Sequence, residues 1–351
     1  MKKLTTFHLI FLLGGISLMG QYSPKTDGSA QSLLLSETRI DRPVQMHKNQ
    51  LQVNPGYGFH VTTGAFDNSG DKINYREQGL ASSLHNFNLS VRYGVIEFLE
   101  FYAGLSYRST LRRMNDLVIL GNEFTEATSI TEVKGMDDLH LGLSIRPVTR
   151  NGPFDLALRL GAIVPTASSV DEKPEHTVSQ QPLYTKLDYH YLKRNGKGMG
   201  FMQAGIDIKY RLSSLALNLT ADVFRGMGKS TYTEWNSQLL GSSFSYSSTN
   251  LPVKYADMYS GTAMIDVKVF SWFDVYGGFR YQLSNNGWKE ISGIKYAIPE
   301  TNSSVMLIGF EILTTTHLRI LEHAELSLAG KNTDAQTGIF TSISYNLFTR
   351  K

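Results

Sequence analysis

Beyond Leu51 the chain repeats one pattern, roughly ten residues of strict apolar–polar alternation followed by a turn. Phe87, Leu89, Val91, Tyr93 and Val95 alternate with Asn88, Ser90, Arg92 and Gly94. Leu99, Phe101, Ala103, Leu105 and Tyr107 alternate with Glu100, Tyr102, Gly104, Ser106 and Arg108. A period of two places each set on its own face of a strand. One face is greasy, and the other carries charge, glycine and small polar groups.

Later segments repeat it. The apolar runs 139–145, 156–162 and 202–210 oppose Asp138, His140 and Arg146, then Asp155 and Arg159, then Asp207 and Lys209. The runs 215–223, 263–269 and 273–281 oppose Asn218 and Asp222, then Asp266 and Lys268, then Asp274 and Arg280. With strands near 51–63, 304–313, 322–331 and 339–347, the pattern predicts an all-β chain of about twelve strands (roughly 10–14), an even number as bacterial up-and-down barrels require.

The connections give an independent test. Strands join through very short turns at 96–97, 149–152, 213–214 and 271, and between those pairs lie long polar stretches at 64–82, 111–136, 167–198, 228–256 and 285–303. Regular alternation of short and long connections is what a transmembrane antiparallel barrel imposes, with short turns in the periplasm and long loops outside. Both chain ends then fall on the short-turn side. Tyr93, Phe98, Tyr210, Trp272, Phe273 and Tyr345 lie at strand ends beside the short turns, where rings form an interfacial girdle.

Three further features fit this picture. Lys2 and Lys3 precede an apolar stretch from Phe7 to Met19, with a cleavage position after Gly20. That stretch is too short to span a bilayer, so residues 1–20 read as a signal peptide. No later run approaches the length of a membrane helix, so membrane crossing would be by strands. The chain has no cysteine, which excludes a disulfide scaffold and a lipid-anchored N-terminus. Formal net charge is +3 with the charges spread out, so no nucleic-acid partner is expected. Residues 21–50 are polar around Leu33-Leu34-Leu35 and read as a lead-in or as a plug folded into the barrel, with 51–351 forming the barrel.

Several short motifs carry a family resemblance. They are Ile40-Asp41-Arg42-Pro43, Leu51-Gln52-Val53 with Gly56, Arg92-Tyr93-Gly94-Val95 before Leu99-Glu100, Leu141-Gly142-Leu143, and Leu160-Gly161 with Pro165-Thr166. In this order, over roughly residues 37–170, the chain resembles the outer-membrane transporter-like proteins of the meta-cleavage pathway of phenol degradation. That family is related in style to channels for fatty acids and aromatic hydrocarbons. Asn54 replaces an acidic residue of the pattern, and Ala167 replaces a glycine. The resemblance implies transport of a small, hydrophobic or aromatic solute across a Gram-negative outer membrane. Membrane lipid, the barrel-assembly machinery (through the near-terminal Leu347-Phe348) and the solute would be its partners.

The inward charges also include Asp155, Asp274, Glu311 and Glu325, and the candidate pore-lining residues among them are Arg92, Glu100, Arg108, Asp138, Arg146, Arg159, Asp207, Lys209, Asp222, Asp266, Lys268 and Arg280. Such charges are tolerated inside a barrel, where they are hydrated or paired, and are costly on the lipid face. Two readings stay open: cross-strand pairs that hold register, or the lining of an aqueous path that tunes selectivity. No catalytic elbow or zinc-helix motif is present, and neither cofactor nor metal is expected. Two alternatives stand beside the channel. One is a structural or adhesive barrel acting through loops such as 184–197, and the other is a barrel hydrolase built on Asp138 and His140.

Overall fold

The computed structural model describes the backbone of residues 37–75, 80–120, 123–147, 153–167, 175–180, 186–192, 197–240 and 243–348. Side chains are described over the same residues, apart from 114–131, 175–180, 186–192, 232–240 and 243–248. The expected signal peptide and Leu33-Leu34-Leu35 lie outside these residues, as do the side chains of Tyr189, His190 and Tyr191 in the proposed adhesive loop.

Twelve antiparallel strands form a closed barrel. They are β1 (Gln50–Phe66), β2 (Leu80–Ile96), β3 (Leu99–Leu120), β4 (Glu123–Met136 and Leu139–Ile145), β5 (Phe154–Val164) and β6 (Gly200–Leu212). β7 (Leu215–Met227), β8 (Asp257–Phe270), β9 (Phe273–Asn285), β10 (Thr301–Leu313), β11 (Leu318–Lys331) and β12 (Thr333–Phe348) complete the wall. Each strand pairs with its sequence neighbours, and β12 returns to β1 from Gln50↔Phe348 to Phe66↔Thr333, so no edge is left open. A strand of thirteen residues such as β6 spans roughly 33 Å when tilted by about 40°, enough for a bilayer's hydrocarbon core.

The alternation sorts the side chains as a bilayer demands. Phe87, Leu160, Met202, Ile265, Phe279 and Ile308 point outward and are about half exposed, whereas Glu100, Asp155, Asp266 and Arg319 point inward and are buried. At the short-turn end Phe98, Phe154, Tyr210, Phe270, Trp272 and Tyr345 are exposed. Phe270 stacks on Trp272 at 5.5 Å, and the row continues through Phe273 to Phe310 at 5.7 and 5.9 Å. A continuous exposed apolar band with an aromatic rim is stable facing lipid, not water.

The outer ends differ from the periodicity in two respects. Residues 111–136 are not a loop: β3 and β4 run on as a hairpin, paired from Tyr107↔Met136 to Leu120↔Glu123. Above the lipid neither face of a strand needs to be apolar, so the alternation fades although the ladder continues. The last outer connection is the single residue Asn332, at φ 50°, a left-handed position that asparagine tolerates. Two other outer connections, 228–256 and 286–300, pair with each other in a separate sheet of Ser230–Leu240, Ser243–Lys254, Trp288–Ile291 and Ile294–Ala297. The backbone of Lys186–Leu192, in the connection between β5 and β6, pairs in parallel with residues 127–133 of β4.

Candidate functional site: the lumen and the segment across its floor

At the short-turn end residues 37–49 cross the lumen before the chain enters β1. Their backbone has few partners of its own, and charged wall residues supply the rest. Asp274 of β9 accepts the Arg39 N–H (2.6 Å), Asp155 of β5 that of Val44 (3.0 Å), and Glu100 of β3 that of Met46 (2.6 Å). Lys209 Nζ donates to the carbonyls of Arg39 and Arg42, and Arg211 donates to that of Ile40 (3.1 Å). Arg92, Arg146 and Arg319 donate to the carbonyls of Val44, Gln45 and Glu37. A buried peptide group without a partner is costly, and this wall meets that need with ionised groups, whose hydrogen bonds are the stronger kind.

The segment's own charges point back at the wall. The Arg42 guanidinium grips Glu311 of β10 through two bonds of 2.9 Å, and Arg39 Nε donates to Asp266 at 2.9 Å. The Arg39 guanidinium carbon also lies 4.3 Å from the centre of the Tyr276 ring, a cation–π contact. Asp41 accepts from Lys268 at 2.7 Å. Burial pushes the Asp41 carboxyl up, but the Lys268 ammonium and Thr38 hydroxyl outweigh it and hold it below the ordinary carboxylate value. Gly94 of β2 is the close-approach point. A Cβ there would collide with the carbonyl oxygen of His47, while the Gly94 carbonyl accepts the Asn49 N–H at 2.6 Å.

Above this floor is a chamber of about 760 Å³. Eight of the twelve sequence-selected residues line it: Arg92, Glu100, Arg108, Asp138, Arg159, Asp207, Lys209 and Asp266. They are joined by ion pairs. Arg92 meets both oxygens of Glu100 at 2.6 and 3.0 Å, and Arg108 meets Asp137 at 2.5 Å. Arg159 faces two carboxylates at once, Asp207 at 2.8 Å and Asp222 at 2.9 Å. Asp222 also accepts from Gln203 (2.8 Å), which accepts in turn from the Tyr102 hydroxyl (2.9 Å).

The other four do not line it, and of these Asp222 is held by Arg159 and Gln203. Arg146 sits in the floor, paired with Asp155 at 3.1 Å, and Lys268 is at the rim with Asp41. Arg280 is away from the chamber, bonded to Glu325 at 2.8 Å, and Glu325 also meets His323 at 3.0 Å and His60 at 3.3 Å. Three of these, His60, Arg280 and Glu325, line a separate polar recess of about 120 Å³. Asp138 works as a clasp. Its two oxygens accept the N–H groups of Ala167 (3.2 Å) and Lys197 (3.1 Å), fastening together the two ends of the connection between β5 and β6.

Periodicity did not select Arg39, Arg42, Arg211, Arg319 or Tyr102. Arg211 and Arg319 sit on the inward face with the residues it did select, so the alternation could have found them, and Tyr102 was placed on that face by the alternation but not counted as lining the pore. Arg39 and Arg42 lie in a segment with no period, where the only sequence signal was the Ile40-Asp41-Arg42-Pro43 motif.

No protein-family model and no curated protein sequence matches the chain. Among solved structures it is similar to an outer membrane channel from Pseudomonas putida F1, with 12% identity, 86% of this chain and 97% of that chain covered, and a TM-score of 0.59. A deletion mutant of the monoaromatic hydrocarbon channel TodX (9% identity, 90% and 94% covered, TM-score 0.45) lies further off. So does a FadL homologue from Pseudomonas aeruginosa (11%, 86% and 90%, TM-score 0.38). The first of these shows that the barrel shares the fold of an outer membrane channel.

Proposed function

We propose that the protein is a passive outer-membrane channel for a small solute, held shut on its short-turn side by residues 37–49. The observation that carries this reading is a solute-sized chamber inside a closed wall whose floor is fixed by exchangeable polar bonds. An apolar plug would be held by the hydrophobic effect and would leave only by exposing that surface to water. A floor of ion pairs and carbonyl–guanidinium bonds exchanges its partners for water at smaller cost, so it can open. Export by a cleaved signal peptide and insertion by the assembly machinery of a Gram-negative bacterium complete the proposal.

A hydrolase on Asp138 and His140 is less well supported. The Asp138 carboxylate is occupied by two backbone amides, and the His140 ring stands 6.5 Å from that of Phe224, centre to centre. The family resemblance would make the solute hydrophobic or aromatic, and the chamber lining combines ion-paired side chains with apolar ones such as Val44, Met264, Leu321 and Phe340.

The test is single-channel recording of the refolded mature protein in planar bilayers. Discrete openings whose frequency rises when residues 22–48 are deleted support a plugged channel. A folded barrel that stays silent with and without the segment would shift the function to the outer loops.

A further inference from the structure

We propose that the outer end of the lumen carries a binding site for a small neutral polyhydroxylated solute, the size of one sugar ring, in a recess on the inward faces of β7–β10. The inference rests on the channel reading only in making this solute the one that is carried.

The register of the wall builds this recess. Where β7–β10 approach their outer ends, Phe224 lies opposite Met258, Met258 opposite Ser284, and Ser284 opposite Thr301. One step deeper the corresponding row is Asp222, Ser260, Gln282 and Ser303. Neighbours across a ladder are about 5 Å apart and successive rows on one face about 7 Å, so a small solute reaches both rows. The recess has a volume of about 210 Å³, and Thr333 at the start of β12 also lines it. Among the described residues its lining holds no ionised side chain. Asp222, at the end of the deeper row, is not part of it and is held by Arg159 and Gln203. The smaller recess beside Glu325 shares Gln282, Ser303 and Thr333 with it. There His60 and Arg280 bond to Glu325, and Asp334 accepts from the Tyr75 hydroxyl at 2.9 Å.

The chemistry of these groups selects the solute. The side chains of Gln282, Ser284, Thr301 and Ser303 make no hydrogen bond to the protein among the described residues. In an aqueous lumen such groups bond water. A solute hydroxyl, donor and acceptor at once, replaces that water and leaves no group unpaired. Phe224 and Met258 give the outer row an apolar end, against which the C–H side of a sugar ring is buried. A charged solute finds no counter-charge in this lining. An apolar one leaves the hydroxyl and amide groups without partners, a mismatch that a hydrogen-bonding site rejects strongly. The volume of about 210 Å³ is that of roughly seven waters, a space that one sugar ring fills and a disaccharide exceeds.

Saturation-transfer NMR on the refolded mature protein, in a detergent without a sugar headgroup, tests the site independently of conductance. D-glucose should show transfer from the protein, with an affinity that falls about tenfold in Q282L/S303V, as expected for two lost hydrogen bonds. Heat-modifiable gel mobility checks that the variant barrel is folded. Benzoate and toluene, a charged and an apolar ring, should not displace glucose. Displacement by either of them would overturn the inference. So would an absence of transfer to glucose from the folded native protein, or an unchanged affinity in Q282L/S303V. Glucose that binds while planar-bilayer recordings stay silent would leave the site standing and defeat the channel reading instead.

Discussion

Removing the Arg42 side chain is the sharpest test of the floor. Its guanidinium makes two parallel bonds of 2.9 Å to Glu311, and the side chains are 17% and 6% exposed, so the pair lies mostly out of water. Breaking such a pair by deleting one partner costs about 3–5 kcal/mol, because the other charge is left buried. Arg42→Ala belongs at the low end, near 3 kcal/mol, since Arg319 Nε stays 4.0 Å from Glu311 and neutralises part of it. The lost energy falls on the docked floor and not on the wall, whose strands keep every ladder bond. The docked-to-released ratio should therefore drop roughly a hundredfold. Single-channel recording reads that ratio directly as closed time over open time. Arg42→Ala/Glu311→Ala should recover much of the closed state, because neither charge then remains unpaired. Equal open probability in the native protein and Arg42→Ala would refute the claim that this segment is the gate. Loss of closure in the double variant as severe as in the single one would refute the ion-pair account of it.

Further outcomes follow from other contacts. Gly94→Ala puts a Cβ against the His47 carbonyl, so it should raise open probability while the barrel still shows normal heat-modifiable mobility. Asp138→Ala strips the acceptor from the amides of Ala167 and Lys197. Hydrogen exchange at those two amides should quicken by a factor matching about 1–3 kcal/mol of local stability, with little change elsewhere in β4. Ile265→Arg, at an outward position 50% exposed, should cost about 2–4 kcal/mol in folding titrations into lipid if that face meets hydrocarbon. A neutral effect would mean it does not. The Asp41 carboxyl is held below its ordinary value near 3.8. Its contribution to docking is thus complete above that value and is lost only as the pH falls through the lower docked one. The Asp41–Lys268 contact should therefore persist from pH 7 to about 5, and Lys268→Met should move the Asp41-dependent part of any acid-induced opening to higher pH.

The wall was legible in the sequence because a lipid-facing strand is bound by a rule of period two. Leu217, Leu219 and Val223 had to be apolar to face hydrocarbon, and Asn218 and Asp222 had to face the other way. Strand order followed from the same source, since short turns leave each strand no neighbour but the next. The alternation weakened where the bilayer stops constraining the chain, which is why β3 and β4 continue to Leu120 and back from Glu123 through residues that read as loop. The floor was decided by tertiary structure alone. Residues 37–49 have no period, and apart from Gln50 the wall groups that bond their backbone lie between 45 and 282 positions away in the chain. Which charges meet was likewise undetermined until the barrel closed. Arg159 could have paired on either side, and only the register of β5 on β6 and of β6 on β7 sets it against Asp207 and Asp222 together. Periodicity records which face a side chain takes; depth and partner are fixed by strand register and closure, which no local pattern encodes.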